Sequence, residues 1–115
     1  MNARQKGLQT VRRVKHYLEA NGYTVEGPGY AVAFFKGGMK PIHRDYFGVY
    51  DLLSVSKNEG IRGHQVCSTK NKARNQAKIQ VAGLSGYLWC KGDGPQCDKY
   101  WVGQEEVEFV ETVKI

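Results

Sequence analysis

Apolar positions recur along this chain with two periods, and the switches between them mark the elements. Leu8, Val11, Val14 and Leu18 fall at helical spacing, so residues 3–20 read as an amphipathic helix that Asn21-Gly22 stops. Residues 23–26 form a short strand that Gly27-Pro28-Gly29 breaks. Residues 30–35 are a second strand, and 36–41, with Gly37-Gly38, read as a turn or loop. Residues 46–55 are a long apolar run fit for a strand buried on both faces. Lys57-Asn58-Glu59-Gly60 is a hairpin turn, so 62–68 returns antiparallel to that strand. Residues 71–84 read as a second helix with Ala73, Ala77, Val81 (or Gln80) and Leu84 as its buried stripe and Ser68 or Thr69 as its N-cap. Tyr87-Leu88-Trp89 and 99–102 pair around KGDGPQC, and residues 107–113 alternate as a last strand. The expected order is α-β-β-β-β-α-β-β-β, an α+β or three-layer pattern with a mixed sheet.

A chain of 115 residues makes one domain able to fold without staples. Its 41% apolar and 24% charged content suits a globular protein, and no apolar run approaches a membrane span. Basic residues spread through the N-terminus argue against a signal peptide, so a cytoplasmic protein is expected. Net charge is +6, and its distribution says more than its size. Residues 1–16 carry Arg4, Lys6, Arg12, Arg13 and Lys15 and no acid, and Lys70, Lys72, Arg74 and Lys78 gather at the second helix. Lys36, Lys40, His43 and Arg44 cluster around the glycine loop. These faces are either solvated or hold phosphates, with affinity that salt weakens. Three cysteines make no disulfide framework, although Cys90 and Cys97 could face each other across a hairpin. Zinc there would need two more ligands, and His16, His43 and His64 are scattered.

Asp51 stands in an apolar run, where a carboxylate needs a partner. Asp45, six residues earlier, would share its face on a regular strand, and Gln65 and Cys67 share a face in the next strand. If the hairpin sets Asp51 beside Gln65, carboxylate oxygens, the Gln65 oxygen and the Val66 carbonyl could hold Mg²⁺. The alternative is that Asp51 hydrogen-bonds backbone at a strand end and Gln65 is a buried polar group. Cys67 as a nucleophile would need a base, and His64 points to the opposite face.

The stretch 3–84 resembles the PD-(D/E)xK, or restriction-endonuclease-like, nuclease superfamily. It looks most like its small archaeal-type Holliday junction resolvases and phage-type members. The likeness rests on the basic helix running into Asn21-Gly22-Tyr23-Thr24-Val25, the strand 45–53 with its aspartates, Gln65-Val66-Cys67, and the following helix. It implies a mixed sheet flanked by two helices, DNA as partner, branched forms included, and Mg²⁺ or Mn²⁺ as cofactor. Members of this size pair into two-fold dimers, so a homodimer is implied as well. Asp51 would match the metal-binding aspartate and Gln65 the second ligand, with Asp45 a further candidate. Glu19 stands where the family has a helix acid. Cys67 departs from the family's lysine, a role that Lys70, or Lys72 or Lys78, would have to take over. Arg4, Lys6, Arg12, Arg13, Lys40, Arg44, Lys72 and Arg74 would contact the DNA. The alternative keeps the fold without turnover, as a nucleic-acid-binding or assembly module.

Overall fold

The computed structural model describes residues 3–115, apart from the side chains of residues 3, 31–35, 40, 41 and 43. The elements are α1 (Ala3–Ala20), β1 (Thr24–Glu26), β2 (Tyr30–Phe35), β3 (Gly38–His43), β4 (Leu52–Ser56), β5 (Gly60–Ser68), a 3-10 turn (Thr69–Asn71), α2 (Lys72–Val81), β6 (Gly86–Lys91), β7 (Gln96–Val102) and β8 (Val107–Lys114). Six strands form one sheet in the order β1-β4-β5-β6-β7-β8. Every pairing is antiparallel except β5 with β6, which α2 connects as a crossover. The expected α+β fold with a mixed sheet and two helices is therefore present.

Alternate strand residues feed two separate cores. Val11, Val14 and Leu18 of α1 pack with Val25, Leu52, Trp89, Cys97 and Val113 on one face. Ile79 of α2 packs with Val49, Tyr50, Leu88, Cys90 and Val102 on the other. Leu52 and Leu53, or Trp89 and Cys90, fall to opposite faces because side chains alternate along a strand. The result is three layers, helix on sheet on helix.

The α1 face carries a closed polar network. His64 is fully buried, with Nε2 2.7 Å from Ser54 Oγ and Nδ1 accepting from Trp89 Nε1 at 3.0 Å. An indole nitrogen only donates, so the neutral ring carries its proton on Nε2 and gives it to Ser54. Beside it, Glu59 accepts from the Tyr23 and Tyr87 hydroxyls at 2.5 and 2.6 Å. The buried Lys99 ammonium lies 4.3 Å from the Tyr87 ring centroid and 5.0 Å from that of Trp89.

Four expectations about elements need correcting. Gly38–His43 is a strand pairing with β2 in a separate two-stranded sheet, where a loop was expected, so five strands precede α2. Residues 46–55 are not one strand, because the chain folds back between Tyr46 and Tyr50 and β4 begins only at Leu52. In that fold-back Val49 N–H donates to Tyr46 C=O at 3.0 Å, and Phe47 and Gly48 both take positive φ, 56° and 69°. Helix α2 buries Ile79, whereas Ala73 and Ala77 are exposed and Val81 is 88% exposed. Of the expected stripe, Leu84 does pack against the core around Ile79, while Ala73, Ala77 and Val81 face solvent. Neither Ser68 nor Asn71 makes a side-chain cap.

Phe47 is 77% exposed in a left-handed conformation that favours glycine or asparagine. Phe47→Asn should stabilise the protein by about 1 kcal/mol, raising Tm by several degrees; an unchanged or lower Tm in a thermal melt would refute this. Burial, then the neighbouring Lys99 charge, pushes His64 down to about 3 from its ordinary 6.5. The unfolded chain then binds one more proton below pH 6.5, so stability falls as pH drops from 6.5 towards 3. The loss is about 2 kcal/mol by pH 5. Chemical denaturation at pH 7 and 5 should show it in the wild type and a much smaller difference in His64→Gln.

Candidate metal centre and cationic surface

Tyr50 sets the geometry of the α2 face. A Cβ on Gly63 would lie 2.5 Å from atoms of its ring, and one on Gly86 2.8 Å. Only glycine on both strands leaves room for the ring, and the Tyr50 hydroxyl donates to Ser85 C=O. Anchored so, the chain leaves the ladder after Leu52, which pairs with His64. Asp51 comes to rest against the next part of β5. Its N–H donates to His64 C=O and its Oδ2 accepts from Val66 N–H, both at 2.8 Å. These contacts bracket Gln65. Asp51 therefore does hydrogen-bond backbone at a strand start, as the plainer alternative held, and does so beside Gln65.

Gln65 is 6% exposed and reaches towards α2. Its Nε2 donates to Asn75 Oδ1 at 2.9 Å, and Asn75 Nδ2 donates to Asn71 C=O, also at 2.9 Å. Gln65 Oε1 is buried with no hydrogen-bond partner among the described residues. Leaving such an oxygen unsatisfied costs on the order of 1–3 kcal/mol, so the position is one that a donor or cation would relieve. Asn75 was not singled out from the sequence; the only available signal was its place three residues into a helix after the Gln65 strand.

Cys67 completes the same face. Its Sγ is 3.7 Å from Cys90 Sγ, on the in-register position of β6. The shared hydrogen bond with Cys90, followed by burial and neighbouring charges that include Asp51, raises the Cys67 pKa far above the ordinary thiol range. Cys67 is thus a protonated thiol, and His64 does not serve it as a base, since it occupies the opposite face with its proton directed at Ser54. The expected facing of Cys90 and Cys97 does not occur. Cys97 pairs in register with Lys91, so the two thiols fall to opposite faces of the sheet.

The remaining expected residues scatter. Asp45 forms an ion pair with Lys78 at 3.3 Å, and the fold-back at 46–50 removes the regular strand that was to align it with Asp51. Lys70 is exposed in the 3-10 turn between β5 and α2. Lys72 is half-buried with its ammonium 4.4 Å from the Tyr100 ring centroid, and after the Cys67 hydrogen bond its charge also lowers the Cys90 pKa. Arg4, Lys6, Arg12, Arg13, Arg44 and Arg74 are exposed, as is Glu19. Lys40 lies in β3, its side chain outside the described residues. Lys70 of the 3-10 turn and Arg74 and Lys78 of α2 are exposed cations at four-residue spacing, Lys78 being the one paired with Asp45.

Among the described residues no group of three or more His, Cys, Asp or Glu side chains is placed to hold a metal ion, and no helix is long and apolar enough to cross a membrane. A cation here would depend on one carboxylate together with amide and backbone oxygens. No protein-family model, curated protein or solved structure matches the chain.

Removing the Asp51 carboxylate leaves the Val66 N–H without its acceptor. Asp51→Ala should therefore destabilise by about 1–3 kcal/mol, whereas Asp51→Asn keeps an acceptor oxygen and should cost less. Urea titration of both variants distinguishes them, and equal losses would show that the Val66 contact is not what Asp51 contributes.

Proposed function

We propose that this chain binds DNA and hydrolyses its phosphodiester backbone with one divalent cation, Mg²⁺ or Mn²⁺, held by Asp51 and Gln65. The observation that carries this reading is the buried Gln65 Oε1, without a partner among the described residues, on the strand whose Val66 N–H binds the Asp51 carboxylate. These are hard oxygen donors of the kind Mg²⁺ takes, and one charge with two neutral oxygens leaves positions for water. The Val66 C=O leaves its strand on the same edge as the N–H that Asp51 binds, and would be the third protein oxygen. A bound cation would polarise the phosphate and lower the pKa of its water.

The protein's own residues would do the rest. The cations Lys70, Arg74 and Lys78 border Asn71 and Asn75, so a phosphate backbone lying along them would pass beside the site. Arg4, Lys6, Arg12 and Arg13 would add sequence-independent contacts from α1. The order α1, β1, β4, β5, α2, β6, with β5 and β6 parallel, agrees with the nuclease superfamily that the sequence resembles. Branched DNA as substrate and a two-fold dimer belong to the same proposal on that resemblance alone.

A second reading keeps DNA binding and drops turnover. Cys67, a protonated thiol where the resembled motif has lysine, favours it, as does the Lys72 ammonium resting on Tyr100. Anisotropy titrations and cleavage assays on duplex, single-stranded and branched DNA, with Mg²⁺ or Mn²⁺, separate the readings. The first expects salt-sensitive binding and metal-dependent cleavage that Asp51→Asn abolishes and that the double change Q65E/C67K increases. Binding without cleavage, even in Q65E/C67K, would leave the second. No binding at low salt would remove both.

A further inference from the structure

We propose that Asn75 is a positioning residue for the cation site, fixing which end of the Gln65 carboxamide is offered as a ligand. The inference rests on the cation reading above and concerns a residue that reading does not use. The oxygen and nitrogen of a carboxamide have nearly the same shape, so hydrogen-bond partners decide its orientation. Here the decision starts in the helix backbone. The Asn71 C=O can only accept, so the end of Asn75 that meets it at 2.9 Å must be Nδ2. Asn75 Oδ1 is thereby turned the other way. It can only accept, so the end of Gln65 that meets it at 2.9 Å must be Nε2. Gln65 Oε1 is what remains, buried and without a partner among the described residues.

Neither amide can turn over to relieve that oxygen. Turning Gln65 alone would set Oε1 against Asn75 Oδ1, two acceptors facing each other. Turning Asn75 as well would set its oxygen against the Asn71 carbonyl. The polarity of one backbone carbonyl is thus passed through two side chains, and its effect is to present an oxygen where an amide nitrogen would repel a cation. A glutamine lacks the carboxylate's symmetry, so a neutral ligand at this position needs such an orienting partner. A residue present only for packing or helix stability would have no reason to hold the oxygen unsatisfied.

Mn²⁺ serves as the probe, its binding read from loss of the free-ion electron paramagnetic resonance signal. Wild type, D51N, N75D and N75L are compared, with circular dichroism confirming that each is folded. The carboxylate introduced by N75D still accepts from Gln65 Nε2, so this variant should bind Mn²⁺ as tightly as wild type or more so. N75L removes the acceptor and should weaken binding roughly tenfold or more. N75A removes the same acceptor with less bulk and replaces N75L if that variant does not fold. In the metal-free protein, the Gln65 side-chain NH₂ resonances should be shifted and slowly exchanging in wild type and N75D, and lose both properties in N75L. Mn²⁺ binding unchanged in N75L or N75A would overturn the role of Asn75 and leave the cation site standing. Absence of any Mn²⁺ binding that D51N diminishes would overturn the cation reading and this inference with it.

Discussion

The aromatic ring of Tyr50, seated where Cβ atoms on Gly63 and Gly86 would be, is the contact on which the α2 face depends. It ties the end of the 46–50 fold-back to two adjacent parallel strands. That tie makes the chain leave the ladder beyond Leu52, and the departure puts the Asp51 carboxylate on the Val66 N–H, where a strand partner would otherwise be. The glycines are required by this close approach. Everything proposed for Asp51 and Gln65 therefore follows from a packing event one residue away.

The two faces of the sheet treat polar groups differently. On the α1 side the acceptors and donors of His64, Ser54, Trp89 and Glu59 find partners within the protein. Burial there holds His64 neutral, and hydrogen bonds from Tyr23 and Tyr87 hold Glu59 below the usual carboxylate range. Such a network fixes a core and leaves little for chemistry. On the α2 side one oxygen is left over. Residue type alone does not reveal this asymmetry, since His64, Ser54 and Glu59 all sit on the closed side.

Periodicity made α1, β1 and the hairpin of β4 and β5 legible, because apolar spacing and turn residues agree there. The 46–55 run misled, since an unbroken apolar stretch carries no mark of the positive-φ turn at Phe47-Gly48, and phenylalanine is a poor signal for one. Much of the stripe expected on α2 faces solvent, because its alanines suit either face and only Ile79 of the helix is buried. At the site, Asp51 and Gln65 were legible as polar residues in apolar strands. Asn75 was not, because its importance lies in hydrogen-bond direction, which spacing does not encode. The regular strand expected between Asp45 and Asp51 is replaced by a fold-back, and the possible facing of Cys90 and Cys97 fails because the β6–β7 register sets Cys97 against Lys91.

The separation of the two cores has a consequence for how the chain tolerates change. Trp89 and Cys90 are neighbours in sequence yet belong to different cores, one packed with α1 and one with α2. Drift among the residues under α1 would be felt as altered foldability, while drift under α2 would alter what the surface can bind. The same sheet can thus be retuned on one side while the other stays constant. The residue at position 67, which packs on the α2 side, could change without rebuilding the core under α1.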